Sequence, residues 1–412
     1  MIMTNCEWGH IKNEQDISLS KLLVNFRPCP VCGATNERTI LVLDNFQFYC
    51  DLSDSSKLID IRQVQCQNCY TLYLNPCYSS YGFKVLFSQA GYSYGATATR
   101  YKKNYEWILE HNLIKDAKAI IDIGCFKGDF LSLFPEDILR IGIEVDENIV
   151  KAASIRHKNK QIIFYAIDFH NYNPPIPPDL ITMFHVLEHL PSPVKSLKQL
   201  RRIAHKNTYL VVEVPIIELA ISSDINGFFS VQHMTHFSKK SLKNCLNRSG
   251  WKIIIAEEQK DYNGFRVVAV PSESKTDFLG DPFDVIHLYH YLSNWYKSIE
   301  IVCKRIIELA SLSRIVIWGA GLHTEFLYQL TPLFSSNPDR KYLIVDSDPD
   351  KQNKTWRGIP IKPPASLKQI DFTDTYLLIS SYGSQEGIYQ DALNLKVPEY
   401  RIIKLYEQIR NY

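Results

Sequence analysis

The sequence lacks an excess of charge of either sign. Its 46 Lys and Arg stand against 44 Asp and Glu, a net of +2 over 412 residues. Proteins that grip nucleic acid normally present a basic face, so no nucleic-acid partner is expected. Short basic clusters ("RYKK", "HKNK", "SKKSLK") read as solvated helix faces. Also missing is any run of the roughly 18 to 20 apolar residues that a bilayer span requires. The opening "MIMTNCEWGHIKNEQD" has no basic start followed by an apolar core. No secretory signal and no membrane span are therefore expected, and the default is a reducing cytoplasm. There, ten cysteines point to thiols or bound metal rather than disulfides. Apolar residues at 45% and charged ones at 22% are ordinary for a soluble globular protein. The length exceeds what one hydrophobic core usually serves, so two or three domains are expected.

Four of the cysteines come in two pairs, Cys29/Cys32 in "CPVCG" and Cys66/Cys69 in "CQNCY". Two residues between cysteines let both sulfurs converge on one ion, and two such knuckles complete a tetrahedron for zinc. The intervening segment exceeds the usual ribbon spacing, but it reads as strands around a polar turn, so a hairpin can carry the extra length. Four sulfur ligands leave no open position, so the expected zinc is structural. The competing reading is two unrelated redox or packing pairs. Cys50 and Cys77 stand singly and read as packing thiols.

From Lys118 onward strand and helix patterns alternate. "AIIDIG", "LRIGIEVD", "QIIFYAIDF", "DLITMF" and "TYLVVEVP" read as strands, with helices at "DFLSLF", "ENIVKAASIRH" and "PSPVKSLKQLRRIA". Such alternation builds a doubly wound parallel sheet with its ligand at the carboxyl ends of the strands. Carboxylates fall at three of those ends: Asp122, Glu144 and Asp168. Gly124 and Gly128 allow close backbone approach, but Cys125 and Phe126 crowd the place where a pyrophosphate needs a middle glycine. An acid-rich rim without a phosphate cradle suits a cationic, phosphate-free adenosyl ligand, which points to S-adenosylmethionine. Glu144 is expected on the ribose, Asp168 on the adenine amine and Phe169 over a ring face.

"IIDIGCFKGDFL", "IGIEVD", "AIDF" and "DLITMFHVLEHL" resemble, in order, the motifs of class I S-adenosylmethionine-dependent methyltransferases. "QHMTHFSKKSLKNCLNRSGW" is similar to the segment after their fifth strand. With cysteine pairs ahead and a second nucleotide-fold pattern behind, the whole chain resembles the sugar C-methyltransferase family. That resemblance implies an N-terminal zinc-binding module (1–85), a central α/β methyltransferase domain (86–272) and a C-terminal Rossmann-like domain (273–412). It also implies a nucleotide-activated sugar or related glycan precursor as acceptor. The family usually carries His-Glu-His before its "FS" turn, where this chain has Val231, Gln232 and His233. Without the glutamate, carbon, oxygen or nitrogen remains open as the methylated atom. His233 is the candidate base, against a purely structural role. His185 is expected to touch the cofactor's methionine end or the acceptor, and Glu188 and His189 to organise the following loop. Tyr94, in the tyrosine-rich stretch with Tyr92 and Tyr101, is expected to close over the cofactor.

Near the C-terminus, "SRIVIWGAGLHTEFLYQL" and "KYLIVDSD" make a strand, G-x-G, helix and second strand ending at Asp346. This leaves open an NAD-dependent oxidoreductase. A zinc-ribbon RNA-modifying methyltransferase and a non-catalytic cofactor-binding scaffold are further alternatives.

Overall fold

The computed structural model describes residues 8–10, 23–48, 58–87, 98–259, 262–273, 280–309 and 311–409. Tyr92, Tyr94 and Cys50 lie outside the described residues. Near the N-terminus β1 (Glu37–Gln47), β2 (Leu58–Cys66) and β3 (Leu72–Leu74) pair antiparallel. The central domain begins with α1 (Ala98–Glu110), followed by β4 (Ala119–Ile123), β5 (Leu139–Glu144), α2 (Glu147–Arg156) and β6 (Ile162–Ala166). It continues with β7 (Leu180–Phe184), α3 (Pro193–Ile203), β8 (Tyr209–Pro215), β9 (Thr235–His236), α4 (Lys239–Arg248), β10 (Trp251–Glu258) and β11 (Gly264–Pro271). Seven of these strands form one sheet in the order β10-β11-β8-β7-β4-β5-β6. β11 alone runs opposite to the other six strands.

All five residues of β4 are buried, as befits a strand covered on both faces. After β6 the chain crosses to the opposite side of β4 to start β7, so the switch point of the sheet lies between β4 and β7. Asp146 starts α2 by accepting hydrogen bonds from the Asn148 and Ile149 amides at 2.8 and 3.2 Å. The helix expected at "DFLSLF" is only a 3-10 turn, Leu131–Leu133. Pro135 explains the difference: it supplies no amide and biases Phe134 to the extended conformation that it adopts.

The C-terminal part opens with a long helix, α5 (Phe283–Ile307), then β12 (Arg314–Trp318), α6 (Leu322–Leu330), β13 (Lys341–Val345), β14 (Thr355–Trp356), β15 (Ile359–Lys362), β16 (Thr375–Ile379), α7 (Gln385–Asn394) and β17 (Ile402–Ile403). Its sheet order is β14-β15-β13-β12-β16-β17, parallel except at β14.

The three parts are less separate than the sequence implies. β9, from the central region, completes the N-terminal sheet by pairing with β3. One apolar core joins Phe46 and Tyr78, Phe228 and Val231, and Trp295 and Phe326. Another packs Cys29, Cys66 and Cys69 with Leu242 and Trp251 of the central domain. No helix among the described residues is long and apolar enough to cross a membrane.

Candidate active site

The loop after β4 turns back on itself through three left-handed residues, Gly124 (φ 70°), Phe126 (φ 48°) and Gly128 (φ 75°). Glycine meets the first and last at no steric cost, while Phe126 carries the strain of a side chain there. A Cβ on Gly124 would lie 2.5 Å from Val186, and one on Gly128 would lie 2.3 Å from the Phe164 ring. Both glycines therefore serve close packing as well as the turn. Cys125 is buried with its sulfur against Gly142, so its side chain is turned into the sheet and only its backbone faces the loop.

Asp122 and Glu144 end adjacent strands. Asp122 is 5% exposed and accepts a 2.6 Å hydrogen bond from the Thr182 hydroxyl across the switch point. Burial pushes its carboxyl up to about 7, opposed by Thr182 and reinforced by the Glu144 charge. Glu144 accepts from the amides of Val145 at 2.8 Å and Phe126 at 3.3 Å, so it also clamps the loop. Burial raises it too. Tyr101 of α1 is half-buried, and its phenol is raised first by burial, then by Asp129 and Asp122.

Asp168 sits differently. It accepts from the His170 amide at 3.0 Å and pairs with the His170 ring at 2.6 Å. Burial pushes its carboxyl up, but these His170 contacts win and hold it low. Phe169 is buried, stacked on His170 at 4.3 Å.

Beyond the carboxyl end of β7, His185 has φ 55° and lies between two carboxylates. Its Nε2 is 2.9 Å from Glu213, and its Nδ1 is 3.3 Å from Glu188. Burial would lower this imidazole, but the two carboxylates raise it to about 9. The two carboxylates hold the ring at the strand end where contact with the cofactor or acceptor is expected. Glu213 is fully buried. Burial pushes its carboxyl up, but His185, Arg266 and Tyr262 hold it down at about 2. Arg266 pairs with it at 2.6 Å, donates to Asn104 at 2.6 Å, and covers the Trp107 ring. Sequence reasoning missed this network. Its one visible signal was Glu213 itself, a charge inside the apolar run "YLVVEVP".

His233 stands edge to face with His189, ring centroids 4.8 Å apart, and burial keeps its ring well below the usual imidazole range. His236 is buried and bonds Gln63 at 2.9 Å.

The four cysteines also converge. Cys29 and Cys69 have their sulfurs 3.5 Å apart, Cys32 and Cys66 3.4 Å apart, and all four lie within 4.8 Å of one another. Sulfurs held 2.3 Å from a tetrahedral ion would be about 3.8 Å apart. The donor set and its spacing therefore fit zinc.

In the C-terminal part, a Cβ on Gly319 (φ 124°) would lie 2.6 Å from the Ser380 carbonyl. Asp346, where a ribose-binding acid would stand, accepts from the Ala320 amide at 2.7 Å. Ser380 is bonded to Thr324 and His323. These groups serve the packing of the G-x-G turn.

Residues 97–256 match the family described as "Methyltransferase domain". The switch-point carboxylates lie within that span, so the central part of the chain carries a methyltransferase domain. Residues 311–403 match a second family, "C2185-like, N-terminal". Among solved structures, an S-adenosylmethionine-dependent methyltransferase from Clostridium acetobutylicum is 9% identical over 46% of this chain and 98% of its own, with TM-score 0.36. Magnesium protoporphyrin IX methyltransferase from Synechocystis, solved with bound S-adenosylmethionine, is 16% identical over 45% and 93%, with TM-score 0.35. The family match, not these likenesses, carries the assignment. No curated protein matches the chain.

Proposed function

We propose that the protein methylates a nucleotide-activated sugar or related glycan precursor, at carbon or oxygen, in the cytoplasm. The observation that supports the cofactor's placement is the pair of carboxylates at adjacent strand ends, buried Asp122 and half-buried Glu144, beside a loop with no phosphate cradle. A sulfonium beside Asp122 would gain a carboxylate counter-charge, and Glu144 would accept from the ribose hydroxyls. Asp168 and Phe169 would border the adenine.

Methyl transfer is an in-line displacement: a bond forms from the acceptor atom to the methyl carbon, and the methyl–sulfur bond breaks with its electron pair going to sulfur. Alignment supplies much of the rate. The acceptor's proton leaves on the side of the cleft that carries His233. His185, held by Glu213 and Glu188, positions that side. The four cysteines hold a structural zinc that fixes the N-terminal sheet against the central domain.

Mass spectrometry of ligands carried through purification tests the acceptor. A retained nucleotide sugar is the expected result. Calorimetry with S-adenosylhomocysteine tests the cofactor; absence of heat, with a pyrophosphate-bearing coenzyme bound instead, would overturn the reading.

A further inference from the structure

Glu188 is 1% exposed, yet neither of its carboxylate oxygens receives a hydrogen bond. A buried carboxylate left this way is costly unless a cation compensates it. Its neighbour Glu213 has a guanidinium, Arg266, at 2.6 Å. Glu188 has only imidazoles. His185 Nδ1 lies 3.3 Å away but misaligned, and His189 Nε2 lies 4.0 Å away. His233 adds a second orphan: its buried Nδ1 has no partner either.

The backbone around these groups is fixed. The Glu188 carbonyl accepts from the Met234 amide at 2.8 Å, which ties the turn after β7 to the segment carrying His233. His189 Nδ1 lies 3.0 Å from the Gln232 carbonyl. With Nδ1 donating there, Nε2 carries the lone pair. One ligand atom from each of Glu188, His189 and His233 lies within 4.8 Å of the others. That separation exceeds the roughly 3.4 Å between ligands on a tetrahedral ion with 2.1 Å arms, so the side chains would draw in on loading.

We infer that Glu188, His189 and His233 form a site for a divalent first-row metal ion such as zinc, separate from the four cysteines. Two imidazoles and one carboxylate suit such an ion, and three protein ligands leave a position open for water or an acceptor oxygen. The inference deepens the methyl-transfer reading and rests on it only for the ion's role. An acceptor hydroxyl on the ion would be polarised and lose its proton to water as its oxygen takes the methyl group and the pair passes to sulfur. His233 then acts as a ligand, and no imidazole need take the proton itself. His185, in contact with Glu188 and Glu213, would orient the carboxylate ligand from outside.

The test is elemental analysis of the full chain after equilibrium dialysis against Zn2+. Two zinc ions per chain are expected in the wild type and one in Glu188→Gln and in His233→Ala. Second-site affinity should fall by more than the roughly 10- to 100-fold lost with an outer-shell partner. S-adenosylhomocysteine binding by calorimetry identifies folded variants, and His189→Ala replaces any that fails to fold. One zinc in the wild type, or two in every folded variant, overturns the site. Two zinc ions with no S-adenosylhomocysteine heat would leave the ion site standing and sink the methyl-transfer reading. The reverse result would sink the site alone.

Discussion

Buried acids in this protein fall into two kinds, and the difference decides what each can do. Glu213 is compensated by Arg266 and His185, so it is structural. Replacing it with glutamine leaves the buried Arg266 guanidinium without its counter-charge, a change expected to cost about 3–5 kcal/mol in chemical denaturation. Asp122 is compensated only by the Thr182 hydroxyl, with Glu144, Cys125 and Tyr101 as the titratable groups facing it. Its raised carboxyl near 7 means the empty folded protein holds a proton that the unfolded chain releases near 4. This group's contribution to stability is therefore full at low pH and is lost as pH rises through about 7. A cationic cofactor favours the ionised form, so binding below pH 7 should release a proton. Affinity for S-adenosylmethionine should climb by up to about tenfold per pH unit toward pH 7 and flatten above it. Calorimetry in buffers of different ionisation enthalpy checks this, and Asp122→Asn should abolish the slope. On the acceptor side, His233→Ala should lower turnover roughly 10²-fold or more with cofactor affinity intact. Unchanged turnover would return the residue to a packing role. The strand-end acids were legible in the sequence because their spacing follows the strand–turn–helix period. The Glu213 network was not, because its partners Asn104, His185, Tyr262 and Arg266 lie 28 to 109 positions away and only folding brings them together.

At the scale of elements, the parallel strands could be read from short apolar runs, three of them ending in acids, and they fall where expected. In the stretch between β8 and α4, what went unread was residues 216–230. It contains little regular structure, only a 3-10 turn at Ile217–Leu219 and the two residues of β9. Yet Ile225, Phe228, Phe229 and Val231 are all buried. They pack against α5, whose Tyr291 hydroxyl meets the Phe228 amide at 2.5 Å and whose Trp295 indole donates to the carbonyls of Asp224 and Ile225. Gly227 fits beneath Tyr291 because a Cβ there would lie 2.2 Å from the phenol oxygen. The helix thus holds the segment that presents His233. Trp295→Ala should cost about 3–5 kcal/mol through the cavity it leaves. It should also lower turnover more than cofactor affinity, since the carboxylates at β4 and β5 do not touch α5. Thermal melts and steady-state kinetics on the same preparation separate the two effects.

Across the whole molecule, the cysteine pairs and the G-x-G turn were legible as separate modules because each is a local pattern. Their union was not, because it depends on single long-range contacts. Gln63 bonds His236, the Tyr78 hydroxyl bonds the Val231 carbonyl at 2.6 Å, and Arg248 bonds the Val31 carbonyl at 2.8 Å. Arg27 donates to the carbonyls of Leu74, Pro191 and Met234, bridging the N-terminal sheet to both loops of the acceptor side. On the far side, Arg357 pairs with Glu325 at 2.6 Å and donates to the Asn45 carbonyl, bonding the C-terminal part to β1. A module coupled in this way cannot unfold alone. An independent zinc module would unfold by itself, over roughly the first 85 residues, on losing its ion; the contacts require more. Releasing the cysteines frees β3, which frees β9, and with it the Met234 amide that braces Glu188. Cys66→Ser is therefore expected to raise hydrogen exchange at residues 228–238 as well as in β2 and β3. S-adenosylhomocysteine affinity should change less than turnover, because Asp122 and Glu144 sit on strands with no pairing to the N-terminal sheet. Exchange confined to the N-terminal sheet, with turnover preserved, would mean that the three parts merely touch.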